Sequence, residues 1–394
     1  MAEFNKGCGC VLAALAVFLI IVALLGYFFV WPWWEKRRVP PPSGGELEVH
    51  VLDVGQGDSI LIIAPEDKET KQRKVALIDS GDTGRGKVVL DAMKRYNVSQ
   101  IDLFIASHAH ADHIGGADEV IKATSVRMVL DSSVPPPARA TDEAATANQT
   151  GGSRRGRGGN SNGGRSSRGS TAELPTTKSY RDLLESIDQA GAQYVKAEPG
   201  QKFELSGGAV ITVLAPIQPF FTKDQLRSGG NEPNANSVVV RLDYGKFSMI
   251  LTGDAEAQTE ERMINKDANL GAKVLKVGHH GSKYATSENF VKAVKPEVAI
   301  ISTGANNRYG HPSQDALNRL KAAGAKVYRT DLQGEITIIT KGEGYEIKTG
   351  KEPKDADVWA GREAQKDDSA RSGFISYGDF GPPPRERKEK TAKK

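Results

Sequence analysis

Three of the seven histidines in the 394-residue chain fall within six residues, as His108, His110 and His113, with Asp112 between them. They directly follow the apolar run 101–106, which is predicted as a strand. Buried imidazoles need polar partners, so side-chain packing is a poor explanation for such a cluster. Neutral imidazole and carboxylate suit Zn²⁺, Mn²⁺ and Fe. The spacing therefore predicts a metal site built on a turn.

Further metal donors stand at the ends of other predicted strands. Asp254 follows the apolar residues 249–251, the pair His279 and His280 follows 274–277, and Asp79 follows 76–78. Taken singly, Asp254 is also compatible with a turn and Asp79 with a helix cap. Because α/β folds collect sites from strand ends that are distant in sequence, the recurrence indicates one shared site.

The elements that must position these side chains are mostly short strands and amphipathic helices. Strands are predicted early and late in the chain, which favours two sheets packed face to face with helices outside, an α+β fold. The predicted strands are 47–51, 59–63, 75–78, 101–106, 126–130, 210–214, 237–242, 247–251, 273–277, 298–302, 327–330 and 335–339. The predicted helices are 84–96, 116–123, 178–190, 255–266, 287–294 and 313–322.

An uncharged apolar run at 11–34 follows a short N-terminal segment, 1–10, and has the length of a membrane-spanning helix. Trp31, Trp33 and Trp34 close it, as expected at a membrane interface. The alternative is a cleaved signal peptide, which is usually shorter. We expect a single-pass anchor with an extracytoplasmic domain after it, although Lys36, Arg37 and Arg38 favour the opposite orientation, which stays open.

The remaining organisation follows from composition. Residues 35–45 form a Pro- and Gly-containing linker, and a folded domain is predicted at 46–350. Within it, 135–171 is rich in Gly, Ser, Asn and Arg and is predicted to be a disordered insertion, as is the basic tail 351–394. The two cysteines, Cys8 and Cys10, precede the apolar run, so the domain contains no disulfide framework.

The basic charge lies outside the predicted folded core. The net charge is +4, yet 151–169 carries five arginines and no acid, and 385–394 has a net charge of +4, which leaves about −5 for the rest. The net charge of the core therefore does not by itself favour the binding of nucleic acid. Oligomeric state cannot be read from the sequence.

The motifs resemble a known family. SHAHADHIGG at 107–116 resembles the HxHxDH signature of the metallo-β-lactamase superfamily. Five further motifs are similar, in order, to the hydrolase domain of ComEC-type competence proteins, over roughly 46–348. They are LDVGQGDSILI at 52–62, LIDSG at 77–81, LTGDAE at 251–256, LKVGHHGS at 275–282 and YGHPS at 309–313. The multi-helix channel of that family has no counterpart here, so a role in DNA uptake would require a separate channel protein.

The resemblance implies an αββα sandwich that holds two divalent metal ions, Zn or Mn, at the edge of its sheets. His108 and His110 would bind the first ion, and Asp112 and His113 the second. Asp254 would bridge the two ions.

The remaining assignments concern the outer parts of this site. One of His279 and His280 would complete the second ion's ligands, and Asp79 would orient a ligand histidine. No histidine lies between His113 and His279, so the first ion lacks a nitrogen ligand, which Asn236 would replace directly or through water.

The implied chemistry is hydrolysis by a metal-activated water, with Asp112, Asp254 and His311 as catalytic residues. His311 would donate a proton to the leaving group or hold a phosphate oxygen, or it would be a structural residue of a Gly-Pro turn. Candidate substrate contacts are Asp58, Ser282 and Lys283.

Three functions are compatible with the sequence. The first is a phosphodiesterase or nuclease acting on DNA. The second is a hydrolase of a small-molecule ester, lactone or β-lactam. The third is a non-enzymatic, membrane-tethered interaction module.

Overall fold

The computed structural model describes residues 18–19, 45–134, 176–227 and 229–363. The chain falls into two compact units, Met1–Pro41 and Pro42–Lys394. Within the described ranges, no helix has the length and apolar character needed to cross a membrane. The predicted anchor at 11–34, apart from 18–19, lies outside these ranges, as do 1–10, nearly all of the linker and the predicted insertion at 135–171.

The first sheet contains eight strands, and the histidine cluster follows the carboxyl end of one of its inner strands, Leu103–Ala106. Its order is β17-β16-β1-β2-β3-β5-β7-β8, and β3, β5, β7 and β8 run parallel to one another. These strands are β1 Leu47–Val51, β2 Ile60–Ile63, β3 Val75–Ile78, β5 Leu103–Ala106, β7 Met128–Asp131, β8 Gln193–Lys196, β16 Ile336–Thr340 and β17 Tyr345–Thr349. Outside this sheet, β4 Gln100–Ile101 pairs with β6 Ser125–Val126.

The second sheet contains seven strands in the order β15-β14-β13-β12-β11-β10-β9. Strands β12 to β15 run parallel, so their carboxyl ends lie at one edge of the sheet. The strands are β9 Lys202–Glu204, β10 Val210–Ala215, β11 Val239–Tyr244, β12 Phe247–Leu251, β13 Val274–Lys276, β14 Val298–Ile301 and β15 Lys326–Arg329.

Helices cover the outer faces of both sheets. Against the first sheet pack α1 Gly86–Arg95, α3 Ala117–Ala123 and α4 Lys178–Ala190; against the second pack α6 Ala257–Asn265, α7 Glu288–Val294 and α8 Gln314–Ala322. The short helices are α2 Ala111–Ile114, α5 Glu232–Ala235, α9 Thr330–Gln333 and α10 Asp355–Val358. Helix α4 ends where predicted, because Gly191 adopts a left-handed conformation with φ 65°.

The core lies between the two sheets. Val49 and Ile105 of the first sheet share one buried cluster with Val240, Met249 and Ile300 of the second. This arrangement confirms the predicted sandwich, and the six predicted helices begin and end within two residues of the predicted positions. Strands β8, β9 and β17 were not predicted; the residues of β8 and β9 are largely exposed and carry no apolar alternation.

The predicted boundary at 350 is wrong, because the chain stays folded to 363. Helix α10 places Val358 in the apolar cluster behind β15. Arg329, which is 1% exposed, donates through Nη1 to the carbonyl oxygens of Asp357, Val358 and Ala360 at 3.2, 3.1 and 2.7 Å. Average composition hides this segment, because a few long-range contacts hold it: Val358 and Trp359 pack on the cluster, Arg329 donates to its carbonyl oxygens and Arg362 pairs with Asp331.

Ending the full chain after residue 350 removes the three carbonyl acceptors of the buried Arg329 guanidinium. Asp331 still pairs with this guanidinium, but Nη1 loses its hydrogen bonds and the cluster behind β15 loses Val358, so we expect the free energy of unfolding to fall by about 3 kcal/mol. Urea unfolding of the metal-saturated protein measures this loss, with a chain ending after 363 as the control. Equal urea midpoints for the two truncated chains would contradict the prediction.

Candidate metal centre

The metal-donor side chains predicted from sequence converge where strands of both sheets end. His108 and His110 follow β5, Asp254 follows β12, and the pair His279–His280 follows β13. These five side chains are 7% exposed or less. Because β5 belongs to the first sheet and β12 and β13 to the second, neither sheet contains the centre by itself.

The backbone at His279 and His280 is unusual. Both residues adopt left-handed conformations, with φ of 47° and 53°, in the tight turn at Gly278–Gly281. A non-glycine residue held there costs of order 1–3 kcal/mol, and such strain concentrates at functional sites. The two neighbouring rings both reach Asp254.

Each carboxylate oxygen of Asp254 faces a different pair of histidines. Oδ1 lies 3.2 Å from His113 Nε2 and 3.5 Å from His280 Nε2. Oδ2 lies 3.8 Å from His108 Nε2 and 3.5 Å from His279 Nε2. The centre therefore has two halves that share one side chain.

The remaining predicted donors extend these halves. His110 Nδ1 lies 3.0 Å from His108 Nε2, in what we call the first half. Asp112 Oδ2 lies 3.4 Å from His280 Nε2, which in turn is 3.3 Å from His113 Nε2, in the second half. The sequence predicted that only one residue of the pair His279–His280 serves the centre. The structure instead places His279 in the first half and His280 in the second.

These separations fit a divalent cation. Four ligand atoms arranged tetrahedrally at zinc–nitrogen bond lengths stand about 3.3 Å apart. Most of the observed distances are close to this value and long for hydrogen bonds. Asp254 Oδ1 is buried without a hydrogen-bond donor, which a bound cation would compensate. The chemistry of the donors and their spacing therefore agree with a metal centre.

Asp58, which was predicted as a substrate contact, is buried behind the centre and does not line its pocket. Its Oδ2 is 2.6 Å from Lys276 Nζ, and its Oδ1 is 3.5 Å from His280 Nδ1, the ring nitrogen opposite the one that faces Asp254. Burial raises its pKa, but Lys276 and His280 outweigh burial and lower the pKa of Asp58 to about 2. Although its ligand atom lies within 4.8 Å of those of His113, Asp254 and His280, its position marks it as a support for the His280 ring.

Four histidines of the centre have their second ring nitrogen close to an oxygen, and for His108 this is the Ser107 hydroxyl, 3.0 Å from Nδ1. Such contacts orient a metal-binding ring and select its tautomer. The Nδ1 atoms lie 2.7 Å from Asp79 Oδ2 for His113, 3.2 Å from Glu256 Oε1 for His279 and 2.9 Å from the Ser302 carbonyl oxygen for His280. Asp79 takes the place expected for it, and it also accepts hydrogen bonds from the backbone and hydroxyl of Ser107 at 2.7 Å. Glu256 was missed, although it stands two residues after Asp254 in a recognised motif.

The asparagine beside the centre is Asn234, and the prediction of Asn236 is wrong. The Asn236 amide is occupied by the backbone of Phe221 and the carbonyl of Glu232, each at 2.9 Å. Asn234 Nδ2 lies 3.4 Å from His279 Nε2, and its buried Oδ1 has no hydrogen-bond partner. The short helix α5 turns Asn234 toward the centre, which a sequence pattern does not reveal.

A small pocket opens onto the centre. It is lined by Gln56, His110, Asp112, Asp254, His279, His280, Tyr309 and His311. His311 is buried, and neither of its ring nitrogens has a hydrogen-bond partner. Burial, assisted by His279 and His280, lowers the pKa of His311 to about 3, so the ring is neutral and can donate one N–H into the pocket.

The predicted contacts Ser282 and Lys283 do not line this pocket. Ser282 is buried, and its hydroxyl accepts a hydrogen bond from the backbone N–H of Tyr284 at 3.3 Å. Lys283 lines a different cavity next to the centre.

The architecture and the donor set agree with sequence comparison. The model of the metallo-β-lactamase superfamily matches residues 52–168, which include the whole histidine cluster. The chain is thus similar to the metallo-β-lactamase superfamily over this region. Its domain has the metallo-β-lactamase hydrolase fold and contains a candidate metal site.

Several curated relatives of this chain are competence proteins by name. ComE operon protein 3 of Bacillus subtilis is 30% identical over 313 residues, which cover 75% of this chain and 33% of that protein. Competence protein ComA of Neisseria gonorrhoeae is 41% identical over 106 residues, which cover 27% of this chain and 15% of that protein. The chain thus spans about a third or less of these relatives. Among solved structures, a diphosphatase of the PhnP family is 14% identical with a TM-score of 0.35, covering 71% of this chain and 94% of that one.

The division of the centre into halves predicts the metal content of variants. We expect His279→Ala to bind less metal than the wild type and Asp254→Asn to bind least, because only Asp254 serves both halves. Elemental analysis of purified, metal-loaded protein measures this, with the exposed neighbour Lys283→Ala as a control that retains the wild-type metal content. Full metal retention in His279→Ala would exclude this residue from the ligand set.

Proposed function

We propose that this chain is a ComEC-type phosphodiesterase that uses two divalent ions, Zn or Mn, and acts on DNA. The observation that carries the proposal is the sharing of Asp254 by two sets of three donors. His108, His110 and His279 would hold one ion, and Asp112, His113 and His280 the other, with Asp254 as the bridge. Two such ions lower the pKa of water toward ~7 and hold the attacking and leaving oxygens of a displacement.

Residues of the pocket supply neutral hydrogen-bond donors. Gln56 Oε1 lies 3.4 Å from the Thr303 hydroxyl and 3.4 Å from the backbone N–H of Gly304, whereas its buried Nε2 has no partner. His311 offers a second neutral N–H from the opposite loop. We assign both to hydrogen bonds with the non-bridging oxygens of a phosphodiester.

Asp112 contributes charge at the same place. Burial disfavours its ionised form, but His113 and His280 outweigh burial and hold its pKa well below the ordinary value. It therefore stays a carboxylate at neutral pH and suits a cation better than a proton. DNA as the substrate is supported by the order of ComEC-type motifs and by the names of the competence proteins that share this domain.

The test is metal-dependent cleavage by the full chain in detergent, reloaded with Mn²⁺ or Zn²⁺. We expect cleavage of labelled DNA and of a bis-aryl phosphodiester, and loss of roughly a hundredfold or more in His110→Ala, which removes a ligand. The metal-stripped wild-type chain is the matched control. Turnover of a lactone without any phosphodiester cleavage would overturn the proposal in favour of a small-molecule hydrolase.

We further propose that residues 11–34 anchor the domain in a membrane as a single pass. Support comes from the uncharged apolar sequence and the three tryptophans at its end. We expect the full chain to remain in the membrane fraction after a carbonate wash, and a chain lacking residues 1–41 to be released. Release of the full chain by carbonate would refute the anchor.

A further inference from the structure

A second, open cavity of about 420 Å³ lies beside the loop that leaves the metal centre. Lys283 and Tyr284 of this loop form one wall, Arg227 and Gln258 another, and Arg319 of α8 lies at the back. None of these residues takes part in the metal centre described above. The cavity therefore needs its own explanation.

Tyr284 presents an exposed aromatic ring to this cavity. Its side chain is 38% exposed, and within the described residues of the domain only one other aromatic side chain, Tyr194, is similarly exposed. The Arg227 guanidinium lies over the ring, 3.4 Å from its centroid, and Lys283 Nζ is 5.0 Å from it. Aromatic rings and guanidinium planes are the surfaces on which unpaired bases stack.

The loop that carries Tyr284 is held in place. Arg319 donates to the carbonyl oxygens of Thr286, Ala285 and Lys283 at 2.8, 2.8 and 3.2 Å. The carbonyl of Tyr284 itself accepts from the backbone N–H of Ala257 at 3.0 Å. A binding surface that is ordered before its ligand arrives loses less conformational entropy on binding.

The charge of the cavity suits a polyanion. Lys283 and Arg319 make no ion pair with any residue in the described ranges, and Arg227 is balanced by Glu256 at 2.7 Å. The acid on the rim, Glu288, is paired with Lys292 at 2.5 Å. Two cations are thus left to attract phosphate groups.

One carboxylate side chain, that of Glu256, connects the cavity to the metal centre. Glu256 Oε1 accepts from Arg227 Nη2 at 2.7 Å and lies 3.2 Å from His279 Nδ1. One carboxylate oxygen therefore joins the guanidinium under Tyr284 to a ring that faces Asp254. A nucleic-acid strand with one phosphodiester at the metal centre would place a neighbouring nucleotide at this cavity.

We propose that Tyr284, backed by Arg227, is a stacking subsite for an unpaired nucleotide next to the scissile phosphodiester, with Lys283 and Arg319 at the backbone phosphate. The inference rests on the proposed phosphodiesterase function and narrows its substrate to single-stranded nucleic acid. In a duplex the bases are already stacked on one another, so Tyr284 has no free base face to bind.

The test compares a single-stranded oligonucleotide with a bis-aryl phosphodiester, which has no base. In Tyr284→Ala we expect the ratio of kcat/KM for the oligonucleotide to that for the small diester to fall about tenfold, as for loss of one stacked base. Tyr284→Phe keeps the ring and retains the ratio, whereas Tyr284→Leu loses it. Tyr194→Ala, a tyrosine of similar exposure on β8, is the matched control with an unchanged ratio.

Binding is measured separately, by fluorescence anisotropy of a labelled oligothymidylate with the metal-stripped full chain. We expect Tyr284→Ala to weaken this binding about tenfold. Binding through Tyr284 without cleavage by the metal-loaded chain would keep the subsite and refute the nuclease. Cleavage that is insensitive to Tyr284→Ala, or equal on single and double strands, would refute the subsite and leave the nuclease standing.

Discussion

A buried ion pair between the two sheets is the contact on which the centre depends. Asp58 stands just before β2 of the first sheet, and Lys276 ends β13 of the second; both side chains are 1% exposed or less and 2.6 Å apart. Burying two charges is favourable only when they are closely paired and further hydrogen bonded. Lys276 also donates to the carbonyl of Val277, and Asp58 contacts the His280 ring. The pair thus holds the sheets at the separation that brings the histidines to Asp254.

The electrostatics of the two halves differ and explain why a cation belongs there. Burial, with the neighbouring histidines, lowers the pKa of His108 and brings that of His110 to about 4, although nearby carboxylates oppose this. These rings are neutral donors, as metal binding requires. Burial also opposes charge on His113, but Asp254 and its carboxylate neighbours outweigh it and raise the pKa of His113 well above the ordinary value. The carboxylates of the second half therefore carry an excess of negative charge. This charge favours the protonated form of His113 and suits the binding of a divalent cation.

The loop after His280 joins the chemistry to the second cavity. Residues 278–281 turn through left-handed conformations that bring both imidazoles to Asp254, and the chain then emerges as the exposed Tyr284. Arg319 holds the loop from one side and Glu256 contacts His279 from the other. The proposed substrate contact at the cavity and the proposed metal coordination at the centre would thus rely on the same short stretch of backbone.

The sequence alone determined the sandwich, the histidine cluster and the strand-end donors, because periodicity and local spacing are written in contiguous residues. His108, His110, Asp112 and His113 sit on one turn, so their convergence follows from local geometry. Tertiary structure decided what depends on the orientation of distant side chains. Only it assigns His279 and His280 to different halves, brings Asn234 and not Asn236 to the centre, pairs Asp58 with Lys276 and keeps 351–363 folded on Arg329. The physical reason is that each of these contacts joins residues from separate elements, and whether they meet is set by how the two sheets and their connecting loops pack.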